Sequence, residues 1–168
     1  NVEKTAPGSS QMSAFNNDYT SDGARRIKLA DIRWSNVCNL SCRYCNTHDS
    51  SEWQRLSGMP VETVNKDYTE SLFQEIEQNK NNINSLYLLG GEPLLQKHNE
   101  RLLSIVDKNV KIDVLTNGSV KLENNKIYNL LKTFPNVYWN LGFDNVEDRF
   151  EYVRQGADWH TFKENVQT

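Results

Sequence analysis

The sequence predicts an α/β protein, a partial parallel (β/α) barrel with about four βα units. Two observations lead to this. From Ile27 onward, short apolar or alternating stretches take turns with longer ones whose apolar residues recur at helical spacing. The chemically unusual residues also follow the strand-like stretches, where a parallel sheet presents its ligand-binding edge. Strands alternating with helices imply βαβ units joined by right-handed crossovers, with helices outside the sheet. Four such units are about half of an eight-stranded barrel.

Residues 1–24 are rich in Asn, Ser, Thr, Gly and Asp and show little periodicity, so they read as a flexible lead-in. The core then occupies 25–168. "IKLADIRW" (27–34) alternates apolar and polar residues and reads as the first strand; the loop "CNLSCRYCN" follows it. "KDYTESLFQEIEQNK" (66–80) carries Tyr68, Leu72, Phe73 and Ile76 at helical spacing. "SLYLLGG" (85–91) is a short apolar strand closed by glycines. "KHNERLLSIVDK" (97–108) is a helix with Leu102, Leu103 and Val106 on one face. "VKIDVLTNGS" (110–119) is the third strand, "NNKIYNLLKTF" (124–134) a helix and "VYWNLGFD" (137–144) the fourth strand. Two short helices are expected at about 147–155 and 158–167.

The 168 residues suffice for one domain with a core. With 19 basic against 22 acidic residues the formal net charge is −3, which provides no basic footprint for nucleic acid. No apolar run is long enough to span a bilayer, and the N-terminus has no signal-peptide pattern, so a cytoplasmic protein without membrane partners is expected. The first residue is Asn1 and the last, Thr168, falls in a helical pattern, which suggests a piece of a longer chain.

All three cysteines lie in one loop, at Cys38, Cys42 and Cys45. An odd number excludes full internal pairing, and such spacing on a tight loop makes a poor disulfide. In a reducing compartment the trio points to a metal or cluster site. Two donor sets are open. A closed zinc site wants four ligands, and His48 can supply the fourth. An iron–sulfur cube usually takes four thiolates, so three leave one iron free for a small molecule. The second strand ends at "GGEP" (90–93), the third at "TNG" (116–118) and the fourth at Asp144. Each has a plain reading: Gly90-Gly91 as a turn, Asn117-Gly118 as a turn, Asp144 as a helix cap. Together they fall at the same end of the sheet and argue for one composite site. Pro93 directly after Glu92 reads as an odd helix start unless the glycine backbone is kept bare for a ligand.

These residues resemble the radical SAM superfamily. "CNLSCRYC" resembles its C-x3-C-x-aromatic-C signature, with Tyr44 as the aromatic, and "GGEP" resembles its glycine-rich segment. The stretch 143–166 looks like a subgroup called twitch-domain or SPASM-related. The resemblance covers about 27–168 and implies a partial TIM barrel of the radical SAM type. It further implies a [4Fe–4S] cluster on Cys38, Cys42 and Cys45, with S-adenosylmethionine chelating the fourth iron. One electron then cleaves a sulfur–carbon bond, and a 5′-deoxyadenosyl radical abstracts hydrogen from a substrate, a peptide or a small molecule. By the same resemblance Gly90, Gly91 and Glu92 meet the methionine ammonium and Tyr44 lies beside the adenine. Asn117 and Asp144 lie near the cofactor, and Arg154 is a partner for the carboxylate. An electron donor such as flavodoxin or ferredoxin is implied. The sequence departs from the pattern at Gly142, where many relatives carry a Ser, and it has no cysteines for an auxiliary cluster. The zinc reading on Cys38, Cys42, Cys45 and His48 leaves "GGEP" without a role.

Overall fold

Six strands form one sheet in chain order in the computed structural model, which describes residues 2–4, 14–21, 23–61 and 64–168. The strands are β1 (Val2–Lys4), β2 (Ala14–Tyr19), β3 (Arg25–Ile32), β4 (Ser85–Leu88), β5 (Lys111–Thr116) and β6 (Val137–Leu141). The helices are α1 (Ser51–Leu56), α2 (Lys66–Asn79), α3 (His98–Ile105), α4 (Lys126–Leu131), α5 (Glu147–Val153) and α6 (Trp159–Gln167), with a 3-10 turn at Pro93–Leu95. Strands β3 to β6 pair in parallel, and a helix follows each of them, as the alternating pattern predicts for a partial barrel. Among the described residues, no helix is long and apolar enough to cross a membrane.

Part of the expected lead-in is sheet. β2 pairs antiparallel with β3 and β1 pairs antiparallel with β2. Phe15 is buried, but polar residues surround it, so the stretch carries no periodic signal. Backbone pairing to β3 makes the strand, and pairing is not written in side-chain composition. Residues 1, 5–13 and 22 of that stretch lie outside the described residues.

The register explains the two faces. Ala30, Leu86, Ile112 and Val137 share one level, and Ile32, Leu88, Val114 and Trp139 another. Most of these are fully buried beneath Leu72, Phe73 and Ile76 of α2, Leu102 and Leu103 of α3 and Leu131 of α4. Each such side chain contributes about 1.5–3 kcal/mol of burial. The alternate rows carry Asp31, Tyr87, Asp113 and Tyr138, with Leu29 and Leu115 in the neighbouring rows, so the opposite face is mixed in character. Just beyond β3, Trp34 is fully buried: it stacks on Phe73 at 4.7 Å, and its Nε1–H donates to Asn99 Oδ1 at 2.7 Å. That bond fixes where the chain leaves β3 and enters the cysteine loop.

Candidate cofactor site

The cysteine loop is built by bonds along its whole length. Before it, Gly91 N–H donates to Ser35 O at 3.2 Å and Glu92 N–H donates to Val37 O at 2.8 Å. Gln96 Nε2 donates to both Ser35 O and Val37 O. Within it, Ser50 Oγ donates to Leu40 O at 2.6 Å while capping α1, and Trp53 Nε1 donates to Cys42 O at 2.8 Å. From the far side, Ser41 N–H donates to Gln155 O and Arg43 N–H to Val153 O, both at 2.9 Å. The loop is thus clasped between the "GGEP" segment and the end of α5. Sequence reasoning missed Gln96, Ser50, Trp53, Val153 and Gln155. They act through backbone groups far along the chain, and only the serine cap before α1 carries a local signal.

Cys38, Cys42, Cys45, Tyr44, Gly90, Gly91, Asn117 and Arg154 line one cleft of about 370 Å³ at the carboxyl ends of β3 to β6. Eight of the ten predicted site residues therefore meet there. Asp144 stands just outside the lining: its Oδ2 accepts from Arg154 Nε at 2.7 Å and from Tyr44 O–H at 3.2 Å. Arg154 is buried, and its guanidinium occupies the space that a side chain at Gly142 would need. At Gly142, the departure noted in the sequence, a guanidinium thus takes the place of a side chain.

Glu92 is placed differently from the expectation. It is fully buried and absent from the cleft wall. Its carboxylate accepts from Thr116 Oγ1 (2.8 Å), the Asn117 N–H (2.8 Å) and the Leu94 N–H (3.1 Å). Burial raises its pKa, and these three donors work against that rise. Pro93 is at the first position of the 3-10 turn that Glu92 caps, a favourable place for proline, so it needs no ligand to explain it. Gly91 is bare for a packing reason: a Cβ there would collide with the carbonyl oxygens of Asn36 and Val37. Gly90 has φ +115°, which favours glycine.

The thiols are all free. Burial pushes Cys38 up to about 11 and also raises Cys42 and Cys45. Such thiols give up their protons when iron binds them, because a coordinating metal deprotonates a thiol outright. Among the described residues, no group of three or more His, Cys, Asp or Glu is arranged to hold a single metal ion. A cube asks for something else, since each thiolate binds its own iron. His48 is outside the cleft, exposed, with Nδ1 3.1 Å from Asp49 Oδ1. The donor set therefore fits a three-thiolate cluster.

The profile of the radical SAM superfamily matches residues 32–168. The chain belongs to the radical SAM superfamily. Enzymes of this superfamily use a [4Fe–4S] cluster and S-adenosylmethionine. The chain is 34% identical over 93 residues to a 7-carboxy-7-deazaguanine synthase of Clostridium acetobutylicum, covering 52% of this chain and 36% of the relative. It is 31% identical over 146 residues to the radical SAM cyclopropyl synthase TigE of Paramaledivibacter caminithermalis, covering 79% and 30%. It is 31% identical over 103 residues to a probable GTP 3′,8-cyclase of Methanocaldococcus jannaschii, covering 60% and 31%. This radical SAM chain spans about a third of the length of these relatives.

Proposed function

We propose that the chain forms the cofactor-binding part of a radical SAM enzyme in which Cys38, Cys42 and Cys45 hold a [4Fe–4S] cluster and the cleft takes S-adenosylmethionine. One observation carries the reading: three free thiols, the Gly90-Gly91 backbone, Asn117 and Arg154 share the walls of one cleft. The cluster and S-adenosylmethionine, when bound, supply one-electron cleavage of the sulfonium and the radical that takes hydrogen from a substrate. The chain's own residues bind and orient. Arg154 is held by Asp144 with its charge against the cleft, where it suits a carboxylate. Tyr44 stands at the rim, tied to Asp144 and exposed, where its ring can cover an adenine. Glu92 does not meet the ammonium in this reading; it braces the wall from behind. The substrate, a peptide or a small molecule, and an electron carrier such as flavodoxin or ferredoxin complete the reading.

The test is anaerobic reconstitution with iron and sulfide, followed by metal analysis. The proposal expects a brown protein with four irons and four sulfides per chain. It further expects His48→Ala to load as the wild type does. A colourless protein that takes up one zinc and loses it in His48→Ala would overturn it.

A further inference from the structure

The three thiols do not share one environment. Asp49 is a charged neighbour of Cys45, and Cys42 has the Arg154 charge and the Tyr44 hydroxyl beside it. Cys38 alone receives two N–H groups, from the Leu40 backbone at 3.5 Å and from Asn117 Nδ2 at 3.7 Å. Both fall within the reach of hydrogen bonds to sulfur, which are longer than those to oxygen.

The side chain of Asn117 is oriented by its other bonds. Its Oδ1 accepts from the Ser119 N–H at 2.8 Å, so the amide nitrogen faces the other way. One of its protons goes to Asn39 Oδ1 at 2.9 Å and the other is left for Cys38 Sγ. The backbone beneath is also fixed. Asn117 N–H donates to Glu92 Oε2 at 2.8 Å, and Thr116 Oγ1 donates to Glu92 Oε1 at 2.8 Å while accepting from Gly118 N–H at 3.1 Å. A buried carboxylate with several donors thus holds the "TNG" turn against the cysteine loop.

We infer that Asn117 is a positioning and tuning residue for the cluster: its side-chain amide, held by Glu92 and Ser119, hydrogen-bonds the Cys38 thiolate and raises the cluster's reduction potential. This rests on the cluster reading given above. An N–H directed at a ligand sulfur stabilises the extra negative charge of the reduced cluster more than the oxidised one. Hydrogen bonds to the sulfurs are among the levers that set iron–sulfur potentials. Asn117 is thereby separated from a purely structural turn residue, because a turn would not change a potential.

The experiment is an EPR-monitored dithionite titration of the reconstituted 168-residue chain, after iron and sulfide content has been measured for each variant. Asn117→Leu keeps a similar volume and removes the donor. It is expected to load a full cluster whose reduced-to-oxidised ratio, at the wild-type midpoint, falls about tenfold, or about 59 mV for a one-electron couple. Asn39→Ala removes the other partner of the amide and leaves the bond to Cys38, so its midpoint is expected to match the wild type. A wild-type midpoint in Asn117→Leu, or an equal fall in Asn39→Ala, would overturn the inference. So would an Asn117→Leu protein that loads no cluster, since Asn117 would then build the site rather than tune it. A wild-type chain that takes up no iron–sulfur cluster would instead count against the functional reading.

Discussion

Gly91 has no room for a side chain, because the carbonyl oxygens of Asn36 and Val37 occupy the place of a β-carbon. The same backbone stretch leads directly into Cys38, so a substitution at Gly91 disturbs the cysteine loop before it reaches any ligand. Gly91→Val is therefore expected to lose iron on reconstitution several-fold relative to wild type, measured as iron per chain; full loading would show that the loop does not depend on this contact. Arg154 is the opposite case. It touches the cleft, and it holds Asp144 through one nitrogen at 2.7 Å. Arg154→Lys keeps the charge but not the planar fork. It is expected to load a full cluster and bind S-adenosylmethionine about tenfold more weakly, a loss of about 1.4 kcal/mol. Equilibrium binding to the reconstituted variant checks this. Much of the cleft was legible in the sequence: the cysteines, the glycine pair, Asn117 and Arg154, expected near one sheet edge, all line it. The role of Glu92 was not, because a motif shows that a carboxylate is present but not which way it faces. Its partners Thr116 and Asn117 lie more than twenty residues along the chain.

α3 begins at His98, whose ring packs 5.3 Å from Trp34 and 6.3 Å from Phe73 at the junction of β3, α2 and α3. Burial, then the charge of Arg101, lowers its pKa from 6.5. The folded state thus favours the neutral ring. Above about pH 6.5 neither state carries the proton, and the stability is fully present; below it the unfolded chain takes up a proton that the folded chain resists, so stability falls with pH. Urea unfolding of wild type is expected to show a lower midpoint at pH 5.5 than at pH 7.5, with a smaller difference in His98→Gln. An equal difference in both proteins would assign the effect to other groups. At this scale the strands and the longer helices were readable from periodicity, most clearly α2, where Leu72, Phe73 and Ile76 are all buried. β2 and α1 were not. β2 has Phe15 as a buried hydrophobic side chain among its described ones and owes its form to pairing with β3. α1 is six residues long and owes its start to Ser50, a residue also bonded to the cysteine loop.

Four parallel strands bring loops from distant parts of the chain to one edge, and this assembly gathers residues from 38 to 154 around one cleft. β6 closes the sheet order at one side, with Tyr138, Trp139 and Leu141 all partly exposed. The barrel is partial, yet the cleft's cysteine, glycine and arginine walls all come from within this chain. The central claim is that these walls hold a cluster with one iron open to S-adenosylmethionine. The most direct test is electron–nuclear double resonance on the reduced, reconstituted protein with S-adenosylmethionine labelled with 15N in its amino group and 17O in its carboxylate. The account predicts that both labels couple to the cluster as directly bound ligands of one iron. A cluster signal unchanged by the cofactor, with no coupling from either label, would contradict it.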